Sequence, residues 1–445
     1  MDNSKDSAIY DLIGVGCGPS NLALAIALDE KKESYRALNM VFLEKQADYR
    51  WHGNTMTSQS DMQISFLKDL VSLRSPTSQY SFINYLHAHE RLVDFINLGT
   101  FYPSRFEFND YLCWVARHFS HQCRYGEEVT SVEPVISNGQ IKTLRVLSCD
   151  HQNKECMRET RSLVISAGGT PNIPEVFQPY KKDRRIFHHA HYLSSVATLD
   201  HQGARPLRIA VVGSGQSAAE VFLDLNCNFP SAKVDLIFRS FSLKPADSTP
   251  FVNEIFSPYA TDFVFSRSPS EREQWLHEYR HTNYSAVDVP IIEQIYGIFY
   301  HQKVSKIARH GFRNTSNIDN VRATEQGIEL LIHNLNTGDR SLHEYDAVIL
   351  ATGYQRKKHR ELLAPLEEYI GNYEVDRYYR MKTDGRLQVP IFLQGYSESS
   401  HGLSDTLLSV LAIRSDEIAT SLYAALDKSR WVSGVSEVQE HQVAY

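Results

Sequence analysis

The stretch Ile9-Tyr10-Asp11-Leu12-Ile13-Gly14-Val15-Gly16-Cys17-Gly18-Pro19-Ser20-Asn21 decides the fold. A short β-prone run breaks into glycines, and residues 22–28 continue as an Ala- and Leu-rich helical stretch. This strand, turn and helix order gives a glycine fingerprint its meaning. Gly14 permits the tight turn, and Gly16 lets the backbone approach a pyrophosphate. The helix beginning near Ser20 directs its unpaired amides and positive dipole end at the phosphates. The usual third glycine position is Pro19, which suits a helix start because its missing N–H would be unpaired there. A second strand, residues 40–43, ends at Glu44. A carboxylate at that point fits an adenosine ribose with two free hydroxyls, as in FAD or NAD.

Working outward, the same unit recurs at Arg208, in the run Ile209-Ala210-Val211-Val212-Gly213-Ser214-Gly215-Gln216-Ser217-Ala218-Ala219-Glu220. Gly213 and Gly215 make the turn, and Ala218 takes the close-packing position. Here the second strand, residues 234–238, ends at Arg239. A guanidinium pairs with a 2′-phosphate that a carboxylate would repel, which favours NADPH over NADH. The two fingerprints predict an α/β chain with two Rossmann-like dinucleotide-binding domains. The expected layout is an FAD domain over residues 1–200, an NADPH domain over 205–345, and a second FAD part over 346–445. Helical substrate-site segments are expected near 250–310 and in a C-terminal helix starting near Asp405. The second FAD part opens on the strand and turn Asp346-Ala347-Val348-Ile349-Leu350-Ala351-Thr352-Gly353-Tyr354.

Composition sets bounds. At 445 residues the chain has room for two or three cores, and its formal charge of -7 argues against a dedicated nucleic-acid binder. The six cysteines form no CxxC pair and no zinc-like spacing, so no metal site is expected and a reduced cytoplasmic setting is. No apolar run approaches the length of a membrane span. An FAD site and an NADPH site on one chain imply a flavoprotein that takes hydride from NADPH. Disulfide reduction is disfavoured without a dithiol motif. Electron transfer to a partner and oxygenation both stay open, because the flavin carries that chemistry and leaves no compact motif.

Several runs together resemble the bacterial L-ornithine N5-monooxygenases, within the lysine/ornithine N-monooxygenases of siderophore biosynthesis. They are the fingerprint 14–21, Trp51-His52-Gly53-Asn54-Thr55, residues 62–72 (MQISFLKDLVS) and residues 94–103 (DFINLGTFYP). The others are Lys244-Pro245-Ala246-Asp247, Phe251-Val252-Asn253-Glu254, His281-Thr282-Asn283-Tyr284 and residues 401–409 (HGLSDTLLS). The resemblance runs over nearly the whole chain. It implies FAD contacts from residues 44–52, including Glu44, Lys45, Trp51 and His52, and from Gln63, Val129, Thr406, Leu407 and Leu408. It implies NADP contacts from Ser214, Gly215, Gln216, Ser217, Arg239 and Ser285, with NADP⁺ retained through the cycle. Lys68, Asn253, Asn283 and Ser409 are implied as the substrate set, with Asn283 shared between substrate and NADP and the nearest to a catalytic residue.

Read without the resemblance, Lys68 is equally a snorkelling lysine beside Asp69, and the two asparagines read as caps or turn residues. His401 reads equally as a turn support and is left out of the chemistry. The resemblance further implies L-ornithine and O₂ as substrates, a homo-oligomer leaning to a tetramer, and siderophore-assembly enzymes as partners. Lysine or a diamine is the nearest alternative substrate, since one methylene is worth only about 1–3 kcal/mol in a pocket. A Baeyer–Villiger or sulfide oxygenase and a non-catalytic flavin-bound assembly partner are the other readings.

Overall fold

The computed structural model describes residues 9–57, 60–199 and 205–431. Ten short strands carry its two parallel sheets: β1 (Leu12–Val15), β2 (Met40–Glu44), β3 (Cys123–Tyr125), β4 (Leu163–Ile165), β5 (Ile186–His188), β6 (Arg208–Val212), β7 (Lys233–Ile237), β8 (Gly311–Arg313), β9 (Ala347–Leu350) and β10 (Ile391–Leu393). The first sheet has the order β10-β4-β1-β2-β3 and the second β8-β7-β6-β9-β5. Each fingerprint strand, β1 or β6, sits at the middle of its sheet, with neighbours on both sides. The order in which strands are added switches side at these central strands, and ligands of open α/β sheets bind outside the carboxyl ends of strands at such points.

Five helices matter for the site: α1 (Pro19–Glu30), α2 (Arg105–His118), α3 (Gln216–Asn228), α4 (Val289–Ser305) and α5 (Leu411–Trp431). α1 is buried from Asn21 to Leu28, because the first sheet covers one side and α5 packs on another. α3 buries Ala218, Ala219, Val221 and Phe222 against the second sheet. Small residues at 218 and 219 let helix and strand approach closely. Two antiparallel three-stranded sheets, built from residues 127–160 and 316–345, cover one face of each parallel sheet.

The structure corrects the expected domain layout at two strands. β9, the strand of the Ala-Thr-Gly-Tyr run, pairs with β6 in the second sheet and not with the first. β5, placed in residues 1–200, pairs with β9 and also belongs to the second sheet. β9 is wholly apolar and β5 is apolar but for His188, and such short buried runs look alike whichever parallel sheet buries them. The chain rejoins the first sheet only at β10. The C-terminal helix starts at Leu411, since two 3₁₀ turns, Leu403–Thr406 and Leu408–Val410, precede it. The implied contacts Thr406, Leu407, Leu408 and Ser409 therefore lie on the turns and not on the helix.

Candidate active site

Steric limits explain the glycines of the first turn. A Cβ on Gly14 would stand 2.2 Å from the Phe42 ring, and one on Gly16, at φ +87°, would stand 2.6 Å from the Ser166 carbonyl. Gly18 differs: nothing lies within 4 Å of where its Cβ would be. It is also the N-cap of α1, with no side chain capping the helix amides and no acid in the first turn. Open space before uncapped amides is what a pyrophosphate requires. Glu44 accepts the Cys17 N–H at 2.9 Å and the Gln46 N–H at 2.9 Å, which fixes its carboxylate beside that turn. A carboxylate has lone pairs left for ribose hydroxyls after two such bonds. These features fit a bound dinucleotide.

The second turn repeats the geometry. Gly213, at φ +143°, would drive a Cβ to 2.3 Å from the Ala351 carbonyl, and Gly215 caps α3 without any side-chain help. Ser285, itself at φ +58°, lies against Gly215, and Ser214, Gln216 and Ser217 are half-buried around the same turn. Arg239 follows β7, is exposed, and pairs with no carboxylate among the described residues. An unpaired guanidinium beside a dinucleotide turn fits a 2′-phosphate.

Several of the remaining implied residues gather around the 403–409 turns, and others do not. His52, at φ +56°, packs edge-on against Trp51, whose backbone N–H donates to the Asn109 side chain at 2.8 Å. His52 is exposed at the surface of the cleft, and its local surroundings together with Arg105 and Arg356 push its pKa down. Lys68 ends a 3₁₀ turn, Phe66–Lys68, that packs against the turn carrying Ser409. Desolvation lowers its pKa, and Glu254, next to Asn253, opposes that shift. Asn253 donates to the Ser248 carbonyl at 2.9 Å. Tyr284 donates to Glu398 at 2.5 Å and meets Thr406 Oγ1 at 3.0 Å, which brings Asn283 beside the 403–409 turns. The Ser409 hydroxyl is buried with no hydrogen-bond partner among the described residues. Gln63 donates to Asp288 at 3.1 Å, on the seam between the two sheets. Lys45 is exposed beyond β2. The Val129 side chain lies in the apolar core beneath the first sheet, so only its backbone can face a cofactor.

Two features were missed in the sequence. Arg414, on α5, is fully buried with Asp405 at 3.1 Å and donates to Ser20 Oγ at 3.1 Å, tying the 403–409 turns to the start of α1. Arg356 comes close enough to His52, Tyr284 and Glu398 to act on them electrostatically. Ser20 and the neighbours of Arg356 are far away in sequence, and Asp405, nine residues before Arg414, is separated from it by two irregular turns, so no local pattern marks either feature. His401 donates from Nε2 to the Arg377 carbonyl at 3.1 Å and stacks on Tyr379, a turn-supporting role.

Two glycine fingerprints, one whose second strand ends at an acid and one whose second strand is followed by an unpaired arginine, define a flavoprotein oxidoreductase that uses FAD and NADPH. The sequence places it further: residues 8–356 match the family described as L-lysine 6-monooxygenase/L-ornithine 5-monooxygenase. The chain is 57% identical to an L-ornithine N(5)-monooxygenase of Pseudomonas aeruginosa, over 98% of each protein. Its fold is similar to the ornithine hydroxylase PvdA of that organism, with a TM-score of 0.91 and 58% identity, covering 94% of this chain and 100% of the other. It is similar also to the ornithine N-hydroxylase of Kutzneria sp. 744, described with reduced FAD, NADP⁺ and L-ornithine. There the TM-score is 0.87 and the identity 35%, over 94% of this chain and 99% of that one. The chain belongs to this family of FAD- and NADPH-dependent N-hydroxylating monooxygenases.

Proposed function

We propose that the chain hydroxylates the side-chain amine of L-ornithine: ornithine, NADPH, a proton and O₂ give N5-hydroxyornithine, NADP⁺ and water. The observation that supports this reading is that the 3₁₀ turn of Lys68 packs against the turn of Ser409, while Tyr284, next to Asn283, meets Thr406 of the neighbouring turn. Bound FAD, reduced by NADPH, supplies the activated oxygen. The protein's part is to hold a free amino acid by its polar head and present the far amine. Lys68 offers an ammonium to the α-carboxylate, while the asparagines offer both donors and acceptors to a zwitterion. The buried, unpartnered Ser409 hydroxyl stands ready for a further polar contact. An alkyl ammonium has a pKa near 10.4, about that of lysine, and only its neutral form has a lone pair to attack oxygen. Desolvation favours that form. Positioning and exclusion of water carry the catalysis.

The product suits hydroxamate siderophore assembly, and its consumers are then siderophore-assembly enzymes in the cytoplasm. No helix among the described residues is long and apolar enough to cross a membrane. A homo-oligomer, by proposal a tetramer, is supported by the exposed run Val93, Ile96, Leu98, Phe101, Tyr102 and Phe106.

The test is Lys68→Ala. Loss of one charge-assisted contact costs about 1.5–3 kcal/mol, so KM for ornithine should rise roughly 10- to 150-fold. Reduction of the flavin by NADPH should stay near the parent rate. An unchanged KM removes Lys68 from the substrate set.

A further inference from the structure

Asp288 stands at the N-cap of α4, where an aspartate ordinarily bonds the first amides of its own helix. Here it makes no such bond. Its carboxylate is spent across the seam: Oδ1 accepts from Gln63 Nε2 at 3.1 Å, and Oδ2 accepts from Gln216 Nε2 at 3.2 Å. The Asp288 backbone N–H donates in return to Gln216 Oε1 at 2.9 Å. The second Gln216 amide hydrogen goes to Glu220 at 2.9 Å. Glu220 is buried and gripped by Arg105 of α2 through two bonds, at 2.8 and 2.9 Å. Gln216 thus has its whole side chain committed, with one neighbour on the flavin side reached through each acid.

We propose that Asp288 is a positioning residue for hydride transfer, registering the NADPH turn against the flavin-side loop by holding Gln216 and Gln63 on opposite oxygens of one carboxylate. This rests on the assignment of Gln63 and Gln216 to the two cofactor clefts. A helix cap stabilises its helix only where the side chain bonds the first amides. A carboxylate in that position that bonds two side chains from other segments instead serves the seam and not the helix. Because hydride transfer depends on the separation of nicotinamide and flavin, small shifts of the turn reach the rate without removing a cofactor contact.

The experiment compares flavin-loaded Asp288→Ala, Gln63→Ala, the double variant and Gln216→Ala with the parent. Anaerobic stopped-flow reads flavin reduction at saturating NADPH, and calorimetry reads NADP⁺ affinity. Hydrogen-bonded neighbours are energetically coupled, so Asp288→Ala should slow the saturated rate roughly tenfold. NADP⁺ affinity should weaken several-fold, ornithine KM should hold, and the double variant should lose less rate than the product of the two single losses, since both singles remove the same Asp288–Gln63 bond. A parental saturated rate in Asp288→Ala, or rate losses that multiply in the double variant, overturns the proposal. If Asp288→Ala does not fold with FAD, Asp288→Asn is read by the same criteria. An unchanged NADP⁺ affinity in Gln216→Ala instead overturns the cofactor assignment beneath it, whatever Asp288→Ala does.

Discussion

At the scale of single residues, the contrast between Glu44 and Arg239 carries the cofactor assignment. Both follow the second strand of a fingerprint unit, yet the first is held by two backbone amides and the second meets no carboxylate among the described residues. Arg239→Ala should therefore raise KM for NADPH by roughly tenfold while KM for NADH moves little, as expected for loss of one charged contact to a phosphate. Steady-state kinetics with both nucleotides checks it, and equal weakening of the two contradicts the 2′-phosphate reading. These two residues were legible in the sequence because their position in a strand, turn and helix unit fixes what they can reach. Lys68, Asn253 and Asn283 were legible only through resemblance: alone, each has an ordinary structural role.

At the scale of elements, the 403–409 turns depend on a clamp that the sequence did not reveal. Arg414 and Asp405 are buried together, and Arg414 reaches Ser20 at the start of α1. Asp405 also accepts the Ser397 N–H at 2.7 Å. Arg414→Leu leaves a carboxylate buried without its partner, which costs about 3–5 kcal/mol. Thermal or denaturant unfolding should show that loss, together with weaker FAD retention. Near-parental stability would show that the pair does not hold the turns. Elements themselves were read well where periodicity or a glycine turn marked them, as at β1 with α1 and β6 with α3. Sheet membership of β5 and β9 was not readable, because a buried parallel strand is apolar on both faces and carries no mark of its neighbours.

Across the whole molecule, buried histidines set a pH limit. His188, His310, His359 and His401 have their pKa lowered to about 4, and His189 to about 3, each chiefly by desolvation. Unfolded, they bind protons near pH 6.5, so the unfolded chain takes up more protons between pH 6.5 and 4. Stability is therefore lost as pH falls through that window and regained above it. Asp69, Glu398 and Glu417 are shifted upward by burial and offset part of the loss. Tm should fall from pH 6.5 to 4, and His359→Phe should fall less steeply, by one proton's share, about 1.4 kcal/mol per pH unit at most. Identical slopes for variant and parent would remove His359 from the account.

The central claim is that the two cofactor clefts and the substrate set act together on one amino acid. The direct measurement is hydroxylamine product formed with FAD, NADPH and O₂ from ornithine, lysine, putrescine and cadaverine in parallel. NADPH oxidation alone does not serve, since a flavin that leaks its oxygen as peroxide consumes it too. The account predicts stoichiometric N5-hydroxyornithine and little product from the other three amines. Lysine or a diamine as the better substrate, or NADPH consumption with no hydroxylamine at all, would contradict it.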